Sequence, residues 1–296
     1  GGLWTWTGFI HNYGLTYTNT NAALNACKKE GIKEVFATIW GDDHTECNIY
    51  SNLIGLQLFA EHGYSERLDE EKLKKRFKFC TGVDYDDFTQ IKYIDEVPGT
   101  KKNNIGNSNV SKYLMWQDIL LGLFDKNIEG LPLKKHYSDL SKKLEACGER
   151  NPELEFLFKY MHKVSLVLEI KSEIGICIYN AYSNKDKNNL KNIIKNDLPK
   201  LENRVESLKD YHRSIWMKIN KPAGWEILDL RYGALLARIN TAIMRIEDYV
   251  DGNISTIDEL EHERLPFYGI DGLVQCNTYN KMPSASRISI TTFFMW

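Results

Sequence analysis

More than a hundred residues follow Pro152 with only Pro199 and Pro222 to interrupt them, and three apolar seams run through that stretch at helical spacing. Proline inside a helix removes a hydrogen bond and clashes with the preceding turn, so its scarcity favours long helices. Leu157, Met161, Val164 and Leu168 repeat at intervals of four and three. Leu201, Val205, Leu208, His212, Ile215 and Ile219 do the same, and so do Leu228, Tyr232, Leu235, Ile239, Ala242 and Ile246. Each set makes one helix face that has to be buried. Short connections make sequential helices antiparallel neighbours, so a three-helix bundle is expected. Asn151 and Pro152 suit a cap and a first turn for the first helix. Further helices are expected over 49–62, with Gly63 as the stop, and over 68–80, 110–124 and 132–147. Asn107, Ser108 and Asn109 are read as side-chain caps for the helix at 110.

Residues 1–40 have a different grain. Residues 3–10 are rich in Trp, Thr, Phe and Ile, which suits a strand. Residues 19–30 carry an Asn/Thr cap, a run of Ala, Leu and Lys, and Gly31 as a stop, which reads as a helix. Glu34-Val35-Phe36-Ala37-Thr38-Ile39-Trp40 is nearly continuous and apolar, as in a strand buried on both faces. Strand, helix, strand at this spacing is a βαβ unit of a parallel sheet. The fold class expected is therefore mainly α: an N-terminal βαβ segment over 1–65 and a helical domain over 66–265. A small β appendage over 266–296 completes it, where Arg287-Ile288-Ser289-Ile290-Thr291 alternates.

The charge balance excludes some partners. A net charge of −2 with 38 basic and 40 acidic residues argues against nucleic acid. A mean hydropathy of −0.42, with no apolar run near the ~18 residues of a membrane span, argues against a membrane. The start, Gly1-Gly2-Leu3-Trp4, has no basic region or cleavage pattern and reads as a piece of a longer protein. None of the six cysteines sits in a CxxC pair, so buried free thiols in a reducing, cytoplasmic compartment are expected, without zinc.

Parallel α/β sheets carry their sites at the carboxyl ends of the strands. The first strand here carries Trp4 and Trp6; the second ends in Trp40-Gly41-Asp42-Asp43. An indole beside a carboxylate suits a sugar: the ring covers the apolar face of a pyranose and the carboxylate accepts from its hydroxyls. Equally, these tryptophans can simply fill a core. His44, next to Asp42 and Asp43, lacks metal-ligand spacing and is read as a solvated histidine. Asp95-Glu96 has the composition of a glycosidase pair, but it follows amphipathic helices rather than ending an apolar strand. A bond at a helix end or between domains is the better reading. Trp116, Trp216 and Trp225 are read as packing. No phosphate loop, serine elbow or cofactor motif is present.

Residues 32–46 resemble the eighth strand and following loop of family 20 glycoside hydrolases, the β-N-acetylhexosaminidases. The resemblance is to a bacterial branch with a large helical C-terminal domain. It extends through Ser111-Lys112-Tyr113-Leu114-Met115-Trp116-Gln117-Asp118 and Leu121-Gly122-Leu123-Phe124-Asp125. It continues in Lys221-Pro222-Ala223-Gly224-Trp225-Glu226-Ile227-Leu228-Asp229 and Arg231-Tyr232-Gly233. The resemblance implies that residues 1–40 are strand seven, helix seven and strand eight of a (β/α)8 barrel. It also implies substrate-assisted, retaining catalysis, in which the substrate's own acetamido group attacks and the enzyme supplies an adjacent Asp-Glu pair after the fourth strand. That pair would lie upstream of this chain, leaving no catalytic residue within it. Trp40 matches the tryptophan walling the terminal sugar, and Asp42 the acidic position that bonds its outer hydroxyls. Trp4, Trp6, Asp43 and Glu46 are weaker candidates. The implied partner is a glycan ending in an N-acetylhexosamine, bound by the whole barrel without metal or cofactor. Two strands with uncovered edges and an apolar face would need helices over them or a homo-oligomer. The rival reading is a non-enzymatic helical interaction or carbohydrate-binding module.

Overall fold

The computed structural model describes residues 1–41 and 46–267. In chain order the α-helices are α1 (Tyr13–Lys29), α2 (Leu53–Tyr64), α3 (Glu70–Thr81), α4 (Tyr85–Phe88), α5 (Val110–Trp116) and α6 (Asp125–Ile128). There follow α7 (Leu133–Arg150), α8 (Glu155–Ser183), α9 (Lys187–Asn192), α10 (Leu198–Ile219) and α11 (Trp225–Asp251). No helix among the described residues is long and apolar enough to cross a membrane. The β appendage expected over 266–296 lies outside the described residues, apart from its first two positions.

The three apolar seams are where the spacing places them. Leu157, Met161, Val164 and Leu168 on α8 are buried, as are Leu201, Val205, Leu208, His212 and Ile215 on α10. All six seam residues of α11 are buried too. The bundle nevertheless has a fourth member. α7 packs along α8 through Leu133, Tyr137, Leu140 and Leu144, while α8 packs on α10 and α10 on α11. A buried tyrosine at position 137 of α7 donates to the Ile94 carbonyl (3.1 Å), which ties this helix to the turns before it.

Several expected boundaries move because side chains capture backbone groups. Asn151 does not cap α8. Its side chain accepts from the Asp84 backbone N–H and donates to Asp87 and to the Cys147 carbonyl, and a 3₁₀ turn, Pro152–Leu154, leads into the helix. The helix expected over 110–124 stops at Trp116. There the Asp118 carboxylate accepts from the Leu120 and Leu121 N–H groups, and Gln117 accepts from Phe124. Such local bonds compete with helix continuation. Gly63 stops nothing, because α2 runs on to Tyr64.

The largest departure is at the N-terminus. Residues 3–10 and 34–40 form no sheet: the β pairing is one parallel bridge, Gly2 with Thr38. Leu3 donates to the Thr38 carbonyl and Thr38 to the Gly1 carbonyl, both at 2.9 Å. The expected two-sided burial of 34–40 is not found either. Val35, Phe36, Ile39 and Trp40 are exposed, Phe36 to 76%. A parallel pair gains little by itself and is ordinarily covered on both faces. Here helix α1 lies on α2, and Leu3 and Thr5 are buried while Val35, Phe36 and Ile39 stay exposed.

All the described cysteines are free. One buried apolar cluster extends from Phe9 and Ile10 through Ile54, Leu58 and Phe77 into the bundle.

Candidate functional site

The register of the Gly2–Thr38 bridge sets the geometry. It brings the start of residues 3–10 beside the end of residues 34–40, two positions before Trp4 on one segment and two before Trp40 on the other. Thr5 Oγ1 donates to the Trp40 carbonyl at 2.7 Å, which locks the two segments together. Trp4 and Trp6 stack on each other, with ring centroids 4.6 Å apart and planes inclined by 29°. A Cβ on Gly2 would lie 2.9 Å from the Trp6 ring and 3.7 Å from Thr38 Oγ1, so the glycine lets this indole cross the bridge closely. Trp40 is 53% exposed, and its Nε1 donates to Thr38 Oγ1 at 2.9 Å. Its N–H is thereby used to orient the ring, and the ring face is what it presents. A flat, exposed, fixed indole is suited to stacking on the apolar face of a sugar.

Trp4 looks elsewhere. It lines an open cavity of about 530 Å³ with Leu24 and Cys27 of α1, with Val35 and Phe36, and with Phe59 of α2. That groove is largely apolar and holds no carboxylate other than Glu34. Asp42, Asp43 and His44 lie outside the described residues.

Glu46 is placed differently from its expected role as an alternative sugar ligand. It is 1% exposed. Its carboxylate pairs with Arg231 of α11 and with Lys112 of α5 (3.1 Å), and it accepts from the Trp116 indole at 3.0 Å. Tyr160 of α8 donates to its backbone carbonyl at 3.3 Å. The Arg231 guanidinium also lies over the Trp116 ring, 5.6 Å from the centroid. Next to this cluster the His212 ring of α10 lies tilted against Tyr160, centroids 4.5 Å apart, and bonds Tyr232 at 3.1 Å, and burial pushes its pKa down to about 3. It is therefore a neutral imidazole in a core and not a proton carrier near pH 7. A carboxylate sealed under three helices cannot reach a sugar, and Glu46 is an anchor.

Asp95-Glu96 makes the helix-end bond expected of it. Asp95 accepts from the Ser111 N–H at the start of α5 (2.9 Å), and burial pushes its pKa up to about 6. Its second oxygen would lie 2.7 Å from a Cβ on Gly8, so only glycine fits there. Glu96 accepts from the Asn103 N–H and pairs with Lys92 (3.2 Å). Neither carboxylate faces Trp40's end of the chain as part of a catalytic pair. The caps expected at 107–109 are likewise diverted: Asn109 donates to the Thr7 carbonyl, and Thr7 to Asn107. These bonds dock the 101–109 loop under the segment that follows Trp6. Gly14 completes that docking, since a Cβ there would meet the Asn103 carbonyl oxygen at 1.8 Å.

The buried charges were not anticipated as a group. Lys112, Arg231 and Lys171 all sit on helix faces that are otherwise apolar. Lys171 donates to the Gln117 carbonyl (2.6 Å), and burial pushes its pKa down to about 8. The signal was available: a basic residue inside an apolar face needs a partner. Trp116, Trp216 and Trp225 are buried, as packing residues are. Among the described residues no group of His, Cys, Asp and Glu could hold a metal ion.

Comparison with curated proteins finds no match to this chain. Residues 86–276, from α4 through the bundle, match the Glycoside Hydrolase 20C C-terminal domain. That match covers well over half of the sequence, and the chain belongs to this family of glycoside hydrolase C-terminal domains.

Proposed function

We propose that this chain is the C-terminal part of a β-N-acetylhexosaminidase and that its residues 1–41 supply one wall of the site for a terminal β-linked GlcNAc or GalNAc. Trp40 stacks on the sugar ring. Asp42, with Asp43 as an alternative, accepts from the outer hydroxyls, and Trp4 and Trp6 hold the adjoining strand end. The acid that protonates the leaving oxygen, and the aspartate that orients the acetamido group, come from residues N-terminal to Gly1. Residues 1–41 are then the last βαβ of a (β/α)8 barrel, with residues 66–265 as its helical companion, and the chain by itself does not turn over substrate. No cofactor takes part.

The observation that best supports this reading is the parallel bridge from Gly2 to Thr38, which, with the Thr5 bond to the Trp40 carbonyl, joins the two segments beside Trp40. The exposed apolar run at Val35, Phe36 and Ile39 fits it as well, because barrel strands bury such residues. The test is hydrolysis of an aryl β-N-acetylglucosaminide by the full-length enzyme carrying Trp40→Ala. Loss of the stacking face should lower kcat/KM by about twofold to tenfold, since aromatic contacts of this kind contribute ~0.5–1.5 kcal/mol. Unchanged kinetics would remove Trp40 from the site.

A further inference from the structure

We propose that Glu46 is a positioning residue: held by Arg231 and Lys112, it fixes the two strand ends so that the helical domain sets the affinity of the sugar wall at Trp40. This rests on the reading of Trp40 given above and deepens it.

The path can be followed atom by atom. Glu46 is the point at which the chain beyond Trp40 enters the core. Three helices meet it: α5 through Lys112 and Trp116, α11 through Arg231, and α8 through Tyr160, which in turn lies against His212 of α10. From Glu46 the chain passes through Cys47 to Ser51, and Cys47 Sγ lies 3.4 Å from Ser51 Oγ. Ser51 Oγ accepts from the His11 backbone N–H at 3.1 Å. The next residue, Asn12, donates its N–H to the Trp4 carbonyl at 2.9 Å. Thr5 then reaches across to the Trp40 carbonyl. A chain of hydrogen bonds, most of them to backbone groups, thus runs from the segment held by the buried ion pair to the backbone of Trp40.

The chemistry of the anchor suits a positional role. A forked guanidinium fixes a carboxylate in direction as well as distance, which a lone ammonium does not. Arg231 itself lies over the Trp116 ring, 5.6 Å from its centroid. None of these groups is exposed, so the cluster touches no substrate and acts through the chain it holds. A ring that stacks on the sugar equally before and during reaction contributes uniform binding, so misplacing it raises KM and leaves kcat alone.

The experiment is steady-state hydrolysis of an aryl β-N-acetylglucosaminide by the full-length enzyme, comparing wild type, R231Q and R231K. In R231Q KM is expected to rise about tenfold with kcat within about twofold, and R231K, which keeps the charge, is expected to recover part of the loss. A purely structural role would lower the melting temperature and leave KM untouched below it, and that result for a folded R231Q overturns the proposal. Where R231Q does not fold, Y160F is read in its place, because it loses only the hydroxyl under Glu46. A KM raised about twofold supports the anchor, and an unchanged KM removes it. No turnover by the wild-type enzyme would remove the underlying reading of Trp40 together with the anchor's role. Turnover with unaltered KM in the variants removes the anchor alone.

Discussion

The bundle of α7, α8, α10 and α11 and the segment over 1–41 are both rich in apolar residues, yet they dispose of them in opposite ways. In the bundle every seam residue of α11 is buried, and α8 buries Leu157, Met161, Val164 and Leu168. In the segment, Phe36, Val35, Ile39 and Trp40 face outward around a single parallel bridge. A helix satisfies its own backbone and needs only one partner face, which the next helix in sequence supplies. A parallel strand needs neighbours on two edges and layers on two faces, and those come from distant sequence. The contrast separates a part whose apolar faces close on one another from a part that leaves several of its apolar side chains exposed.

The largest effect should come from the residue that joins the two. Glu46→Ala leaves Lys112 and Arg231 buried without their carboxylate, and breaking such a pair costs about 3–5 kcal/mol. Urea unfolding of the chain should show that loss. A change under 1 kcal/mol would mean that the bundle does not depend on the segment at all, and would sharpen the contrast into independence.

Acid should act next, and through buried groups. His11 and His212 have pKa values pushed down to about 3 by burial, against 6.5 when unfolded. The unfolded chain therefore binds more protons between pH 6.5 and 3, and stability falls as pH drops through that window, by about 2 kcal/mol per histidine at pH 5. Asp95 and Asp125, raised to about 6, work the other way: they favour the folded state as pH falls below 6 and return about 1 kcal/mol each by pH 5. The net expectation is a loss of stability from pH 7 to 5. In His212→Phe that loss should shrink or reverse. An unaltered pH slope in this variant would show that His212 is not neutral in the folded bundle.

The smallest stability effect should come from Phe36→Ser. Little packs on this ring, so the change in unfolding free energy should stay within about 0.5 kcal/mol. Self-association of the chain, read by sedimentation, should decrease, because an exposed aromatic on an apolar face favours contact between copies. A loss above 2 kcal/mol would show that the segment's apolar face is already packed, and would erase the difference between the two regions.

The parts legible in the sequence follow this division. The seams at 157–168, 201–215 and 228–246 were readable because helical periodicity is local and their burial follows from it. α7 was readable as a helix, but not as a bundle member, since its pairing with α8 depends on the turn at Asn151. That turn is held by Asp84 and Asp87, far away in sequence. Trp40 could be singled out from its place after an apolar run, whereas Glu46 could not be told from its acidic neighbours Asp42 and Asp43. Its partners, Lys112 and Arg231, lie 66 and 185 residues further on. The strand expected to be buried on both faces was misread because an apolar run does not by itself say what packs against it: Val35, Phe36, Ile39 and Trp40 are exposed around one bridge. The helix-end bond of Asp95 to the Ser111 N–H was legible from context, because the pair sits just before a loop that leads into a helix.

The most direct test is to assay this chain, shown by circular dichroism to be folded and helical, beside the full-length enzyme on an aryl β-N-acetylglucosaminide. Turnover by the full-length enzyme with none from the chain is the expected result. Turnover by the isolated chain would contradict it, and would mean that the acid lies within this chain, with Asp42, Asp43, Asp95 and Glu96 first in line for substitution.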